Sequence, residues 1–218
     1  MHGKTQTIAV TDDCVQNIKD STSTGGIHQI ADNVAGGFDF TNKNENATGY
    51  DSTLTGIIPY GATGAFAVAL GGKSAAMGKR SLAEGTTTIA KGKYSHAEGD
   101  NSVTLGDDSH AEGYKTTASG YASHAEGHNT ITVGYASHVE GSENLAIGDA
   151  SHAEGGQTRA EGIYSHAEGV ATIASGKASH TEGEDTHAGS THSHAEGFQT
   201  YAMADEAHTE GFMTRAVG

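Results

Sequence analysis

From Gly64 onward a glycine falls every seven residues, and between glycines the chain reads x-x-Ser/Thr-x-Ala-x-Gly. Small residues alternate with larger ones, which is the two-residue period of a β-strand. A seven-residue period also suits a coiled coil, but glycine is costly inside helices and the chain has no apolar a/d seam. Each heptad therefore predicts a short strand followed by a turn. Glycine is expected at the corner, where a positive φ is needed.

Two kinds of heptad alternate. One reads "SHAEG" or close to it, at Ser95, Ser109, Ser123, Ser137, Ser151, Ser165, Ser179 and Ser193. The other varies: "SVTLG" at Ser102, "TTASG" at Thr116, "TITVG" at Thr130, "NLAIG" at Asn144, "TRAEG" at Thr158. The repeat is thus 14 residues and two strands, one coil of a flattened solenoid. Ser/Thr and Ala are expected to fill the narrow space between two sheets. Gly64 to Gly218 spans 11 such coils, a rod roughly 50 Å long at about 4.8 Å per stacked strand.

In "SHAEG" the histidine and glutamate stand two apart and share a strand face opposite Ser and Ala. Stacked coils then build two ladders. One holds His96, His110, His124, His138, His152, His166, His180, His194 and His208. The other holds Glu84, Glu98, Glu112, Glu126, Glu140, Glu154, Glu168, Glu182, Glu196 and Glu210. In the same register the earliest coils carry Val68, Leu70 and Leu82. Like charges one strand spacing apart repel, and a merely solvated face needs no identical residue at every coil. A face that is apolar at one end and His/Glu further along is expected to be buried. The simplest cover is the same ladder in another copy, with the histidine of one chain bonding the glutamate of the next.

Composition fits a thin repeat fold. Of 218 residues 32 are glycine, one is proline and none is tryptophan. Large apolar side chains are too few for a thick core, and strict periodicity argues against disorder. A net charge of −15 speaks against nucleic acid as a partner, because phosphate contacts need clustered Lys and Arg. Ten of the 27 acids lie in the ladder, leaving 17 against 12 bases. No stretch has the length of a transmembrane helix, and the first residues lack a secretory-signal pattern. The single cysteine, Cys14, gives no disulfide framework.

The "AVALG" and "NLAIG" heptads and the x-x-S-x-A-x-G beat resemble the YadA-like head repeats of trimeric autotransporter adhesins. Repeats similar to these, including the "SHAEG" form, occur in bacteriophage tail-fibre and prophage structural proteins. The resemblance covers residues 61 to 218. It implies an all-β fold, a left-handed parallel β-roll with 14-residue coils, and three chains side by side as a homotrimer. The chain departs from the autotransporter pattern in carrying His/Glu where most Val/Ile would face the axis. It also shows no signal peptide, coiled-coil stalk or membrane anchor.

Three readings of the ladder compete. In the first, intersubunit hydrogen bonds and ion pairs satisfy it, as buried charges require. In the second, imidazoles around an axis hold a divalent ion. In the third, the carboxylates are catalytic, as in glycoside cleavage. Nothing singles out one His/Glu pair, so no catalysis and no cofactor is expected. Paired glutamates would have lowered pKa values and paired histidines raised ones.

The beat skips at Ser190 and Ala204. Around Ser190 a bulge or lengthened corner is expected, and His187, His192 and His194 with Glu182 and Asp185 form a candidate metal cluster. Corner aromatics Tyr114, Tyr121, Tyr135 and Tyr164, with Tyr201 on the variable strand, are candidate receptor contacts, or else pack against a neighbouring chain.

Residues 1–60 leave the beat and are assigned as an N-terminal cap or attachment region. Residues 5–18 hold a possible strand with Cys14 as an ordinary thiol, and residues 42–56 read as loop. The chain stops on the beat at Gly218, which points to a continuation or a cleavage there. The expected function is a structural and adhesive fibre or head that contacts a cell-surface glycan or protein. Its place is a bacteriophage tail fibre on the virion, or alternatively the head of a bacterial autotransporter adhesin on the outer cell surface.

Overall fold

The structure, a computed structural model, describes residues 61–218 and two short strands at His28–Ile30 and Gly37–Asp39. The expected strand and loop of residues 5–18 and 42–56, and Cys14, lie outside the described residues. The fold is a parallel β-solenoid with a 14-residue repeat. One sheet has 13 strands and the other 12. A coil begins with a long strand such as His96–Asp100, turns, adds a two-residue strand such as Val103–Thr104, and turns again. Long strand stacks on long strand in register, as in His96↔His110↔His124. Short strands stack likewise, as in Val103↔Thr117↔Ile131. At one end, His28–Ile30 pairs antiparallel with Gly37–Asp39, which pairs parallel with Val68–Gly72.

The core is alanine, serine and threonine. Ala97, Ala111, Ala125 and Ala153 are 0% exposed, and the serines that open each long strand are 2% exposed or less. Only small side chains fit between sheets held this close. Most of the serine hydroxyls are satisfied locally, as where Ser95 Oγ donates to the Gly92 carbonyl at 2.7 Å and Ser151 Oγ to that of Gly148 at 2.6 Å, which offsets the cost of burying them. Several buried threonine hydroxyls, Thr132 and Thr172 among them, have no partner. One coil departs from this. Val139 replaces alanine, its strand shortens to His138–Val139, and Asn144 replaces the Ser/Thr of the next strand. Asn144 Nδ2 then donates to the Gly155 carbonyl at 2.8 Å, and its Oδ1 accepts from Thr158 N at 2.8 Å.

The glycines do not all serve as the positive-φ corner that the sequence suggests. Gly99, which ends a long strand, does have a φ of +98°. Gly92, in the other heptad, lacks a positive φ and is required by close approach, since a Cβ there would strike the Gly106 carbonyl one coil on. The left-handed corner itself falls two residues after each glycine and is made by non-glycine residues with φ between 50 and 61°, such as Tyr94 and Asn101. These corners are held by backbone bonds to the preceding coil, as in Asn101 N to the Thr86 carbonyl at 2.9 Å.

The bulge expected near Ser190 is absent. Ile173↔His187↔Tyr201 continue in register, and the left-handed corner at His192 keeps its place two residues on. Ser190 simply occupies a glycine position, with its Oγ donating to the Met203 carbonyl at 2.8 Å. The early Gly189 is an outward position of the short strand, not a shifted corner.

Candidate functional site

The long-strand sheet turns its outer face into the His/Glu ladder. Val68, Leu82 and His96 share one column, and Leu70, Glu84 and Glu98 the next. The histidine column continues through His110, His124, His138, His152, His166, His180, His194 and His208. Glu112↔Glu126, Glu154↔Glu168 and Glu182↔Glu196↔Glu210 align beside it. From His96 to His180 the imidazoles stack at 4.7–4.9 Å with planes within 10° of parallel. The His180–His194 and His194–His208 pairs tilt by 37° and 36°.

His96, His110, His124, His152, His194 and His208 each bring Nε2 within 4.0 Å of a carboxylate oxygen. His110 Nε2 lies 3.2 Å from Glu98 Oε1, His152 Nε2 3.5 Å from Glu154 Oε2, and His194 Nε2 3.8 Å from Glu196 Oε2. Only the first of these three is a hydrogen bond. Among the described residues, the Nε2 atoms of His96, His124, His138, His152, His166, His180 and His194 are shut from solvent with no hydrogen-bond partner.

The charge states differ from those expected for simple ion pairs. Burial holds the His124, His152, His180 and His194 imidazoles below the usual histidine value, and neighbouring histidines push them further down. Burial and the neighbouring Glu140 raise the carboxyls of Glu126 and Glu154. Glu140 is lowered, chiefly because it accepts hydrogen bonds from those two. For these four histidines and for Glu126 and Glu154 the shift runs opposite to the one expected of ion pairs, while Glu140 follows that expectation. A stacked column cannot charge one ring without burdening the next.

Five sets of three donors lie within 4.8 Å of one another, among them His96–Glu98–His110, His124–Glu126–His138 and Glu168–His180–Glu182. The cluster expected around Ser190 does not form one set. Glu182 and His194 belong to the ladder, and His187 lies on the other sheet with its Nε2 2.9 Å from Ser175 Oγ. Asp185 and His192 sit at left-handed corners. The 14-residue coil carries these residues to different faces.

Tyr114, Tyr121, Tyr135 and Tyr164 are exposed at the corners, Tyr164 by 63%. Tyr121 stacks on Tyr135 with centroids 5.4 Å apart, and Tyr114 on His128 at 5.3 Å. The Arg80 guanidinium lies 5.8 Å from the ring centroids of both Phe66 and Tyr94. Tyr201 is half-buried on a short strand between His187 and Arg215.

One surface went unread in the sequence. The outer face of the short-strand sheet carries Val103, Leu105, Ile131, Val133, Leu145 and Ile147, with Leu105 45% and Val133 49% exposed. Its signal was the alternation in "SVTLG", "TITVG" and "NLAIG", whose outward residues are all large and apolar. Thr117 and Ser119 interrupt this strip between Val103/Leu105 and Ile131/Val133, and exposed apolar residues grouped on one face mark contact surfaces.

No helix among the described residues is long and apolar enough to cross a membrane. No curated protein matches the chain. The model of the YadA head domain repeat matches residues 62–88, 83–109 and 111–141, the coils in which the apolar start of the ladder gives way to His and Glu. Over residues 62–109 and 111–141 the chain is therefore similar to YadA head repeats.

Proposed function

We propose that the coils form the body of a homotrimeric fibre or head that attaches to a cell surface, with the ladder from Val68 to Glu210 turned toward the other copies. The observation that carries this reading is the spacing. The histidines repeat at 4.7–4.9 Å, with the Nε2 atoms of seven of the nine buried and unmet. A cover that meets every rung must repeat at the same interval, and a second copy of this chain does. A closed ring of three uses heterologous contacts, which need two different surfaces on each chain. The histidine column and the glutamate column beside it are two such surfaces, so that the histidines of one copy can meet the glutamates of the next.

The corners then remain outside, and Tyr114, Tyr121, Tyr135 and Tyr164, with Tyr201 beside them, are the proposed receptor contacts for a surface glycan or protein. The match to YadA head repeats supports an adhesin head. A virion tail fibre built from the same repeat is the other placement, supported by the likeness of "SHAEG" coils to phage fibre repeats. The test is retention of the purified chain on intact bacterial and animal cells. One class should retain it, and Tyr121→Ser with Tyr135→Ser should weaken that retention while leaving the fold intact. Retention by neither class contradicts the adhesive reading.

A further inference from the structure

We infer that the ladder binds divalent transition-metal cations, with histidine Nε2 atoms of two stacked coils and an oxygen of the intervening glutamate as ligands. His96–Glu98–His110, His110–Glu112–His124 and His124–Glu126–His138 are such sets, their donor atoms within 4.8 Å of one another. Within the sets the Nε2-to-carboxylate separations of 4.0 Å or less run from 3.2 to 3.8 Å. Neighbouring ligands of a tetrahedral ion with bonds of about 2.1 Å stand about 3.4 Å apart. Most of these separations are too long for a hydrogen bond, and in the tautomer with its proton on Nδ1 the Nε2 lone pairs and the carboxylate oxygen converge with nothing electropositive between them. At several rungs the Nε2 atom is also sealed from water.

An ion placed there meets both donors and offsets the repulsion along the glutamate column. Mixed imidazole and carboxylate donors suit zinc, cobalt or nickel rather than calcium or magnesium, which take oxygen ligands. The stacked rings must tilt to close on an ion, and the 37° tilt between His180 and His194 shows that the column admits it. Water or a carboxylate of a neighbouring copy would complete the coordination. All three donors come from one chain, so the inference does not rest on the assembly proposed above.

The test is calorimetric titration of the chelator-treated full chain with zinc chloride. More than one ion should bind per chain, and no more than four, because the five donor sets share His110 and His124. The variant Glu98→Gln, Glu112→Gln, Glu126→Gln should lose bound ions while keeping its circular dichroism. The variant His128→Asn, His192→Asn, altered outside the ladder, should keep them. Cobalt(II) in the wild-type chain should give the intense visible absorption of a four-coordinate site. No zinc uptake, or equal uptake by the triple glutamine variant, overturns the inference. A three-chain particle that takes up no zinc sinks it and leaves the assembly standing. A monomer that takes up zinc does the opposite.

Discussion

His110 Nε2 lies 3.2 Å from Glu98 of the preceding coil and 3.8 Å from Glu112 of its own strand. The histidine therefore ties coil to coil rather than closing on its nearest sequence neighbour. Both side chains are about a third exposed, so in a single chain the pair adds little. A double-mutant cycle with Glu98→Gln and His110→Asn should give a coupling below about 1 kcal/mol in a monomeric form. In the assembled protein, where the face loses its water, the coupling should exceed that. Equal small couplings in both states would mean that the ladder stays wet.

The pH dependence follows from the depressed histidines. The unfolded chain takes up protons on histidine near the ordinary value of 6.5, while folded His124, His152, His180 and His194 resist. Stability is thus fully present above about pH 6.5 and is lost as the pH falls through the lower folded values. The raised Glu126 and Glu154 act oppositely. Their folded forms hold protons more tightly, so they add stability only as the pH falls toward the ordinary carboxyl range. Thermal melts should be highest near pH 8 and drop through about pH 6. A melting temperature that rises on mild acidification contradicts the stacked neutral imidazoles.

Gly155 and Gly156 are adjacent and unlike. Gly155 has a φ of +103°, and a Cβ on it would strike the Gly169 carbonyl, whereas a Cβ on Gly156 meets nothing within 4 Å. Gly155→Ala should cost about 3 kcal/mol or more through strain and displaced backbone. Gly156→Ala should fall within about 0.5 kcal/mol of the parent. Denaturant unfolding of the two variants checks the difference, and similar losses would show that the second glycine has a role the coil geometry does not reveal.

The buried hydroxyls divide in the same way. Thr88 Oγ1 donates to Ser74 Oγ at 2.9 Å, whereas Thr172 Oγ1 is buried without a partner. Thr88→Val should destabilise by about 1 kcal/mol or more, and Thr172→Val should be neutral or stabilising. Chemical denaturation measures both, and a larger loss at Thr172 would contradict an unmet hydroxyl there.

Much of this architecture was legible because period two and period seven leave few ways to fold. Ser95 and Ala97 had to face inward if His96 and Glu98 faced out, and they are 1% and 0% exposed. What escaped the sequence depends on distances between coils. Gly92 and Gly99 occupy the same heptad position and both are needed for close contact with the next coil, yet only Gly99 also takes a positive φ. Counting glycines made Gly189 look like a slip, although Ser190 keeps the register. The sign of the histidine pKa shift depends first on burial and then on the neighbouring stacked rings, which spacing alone does not show. The strip through Val103 and Leu105 was visible as alternation but was read as variation.

The central claim is that the ladder faces other copies of this chain, and the native mass in solution at neutral pH tests it most directly. The account predicts a particle of three 22.2 kDa chains, which falls apart when His110 and His124 are replaced by lysine. A monomer at micromolar concentration would contradict it and leave the His/Glu face open to solvent.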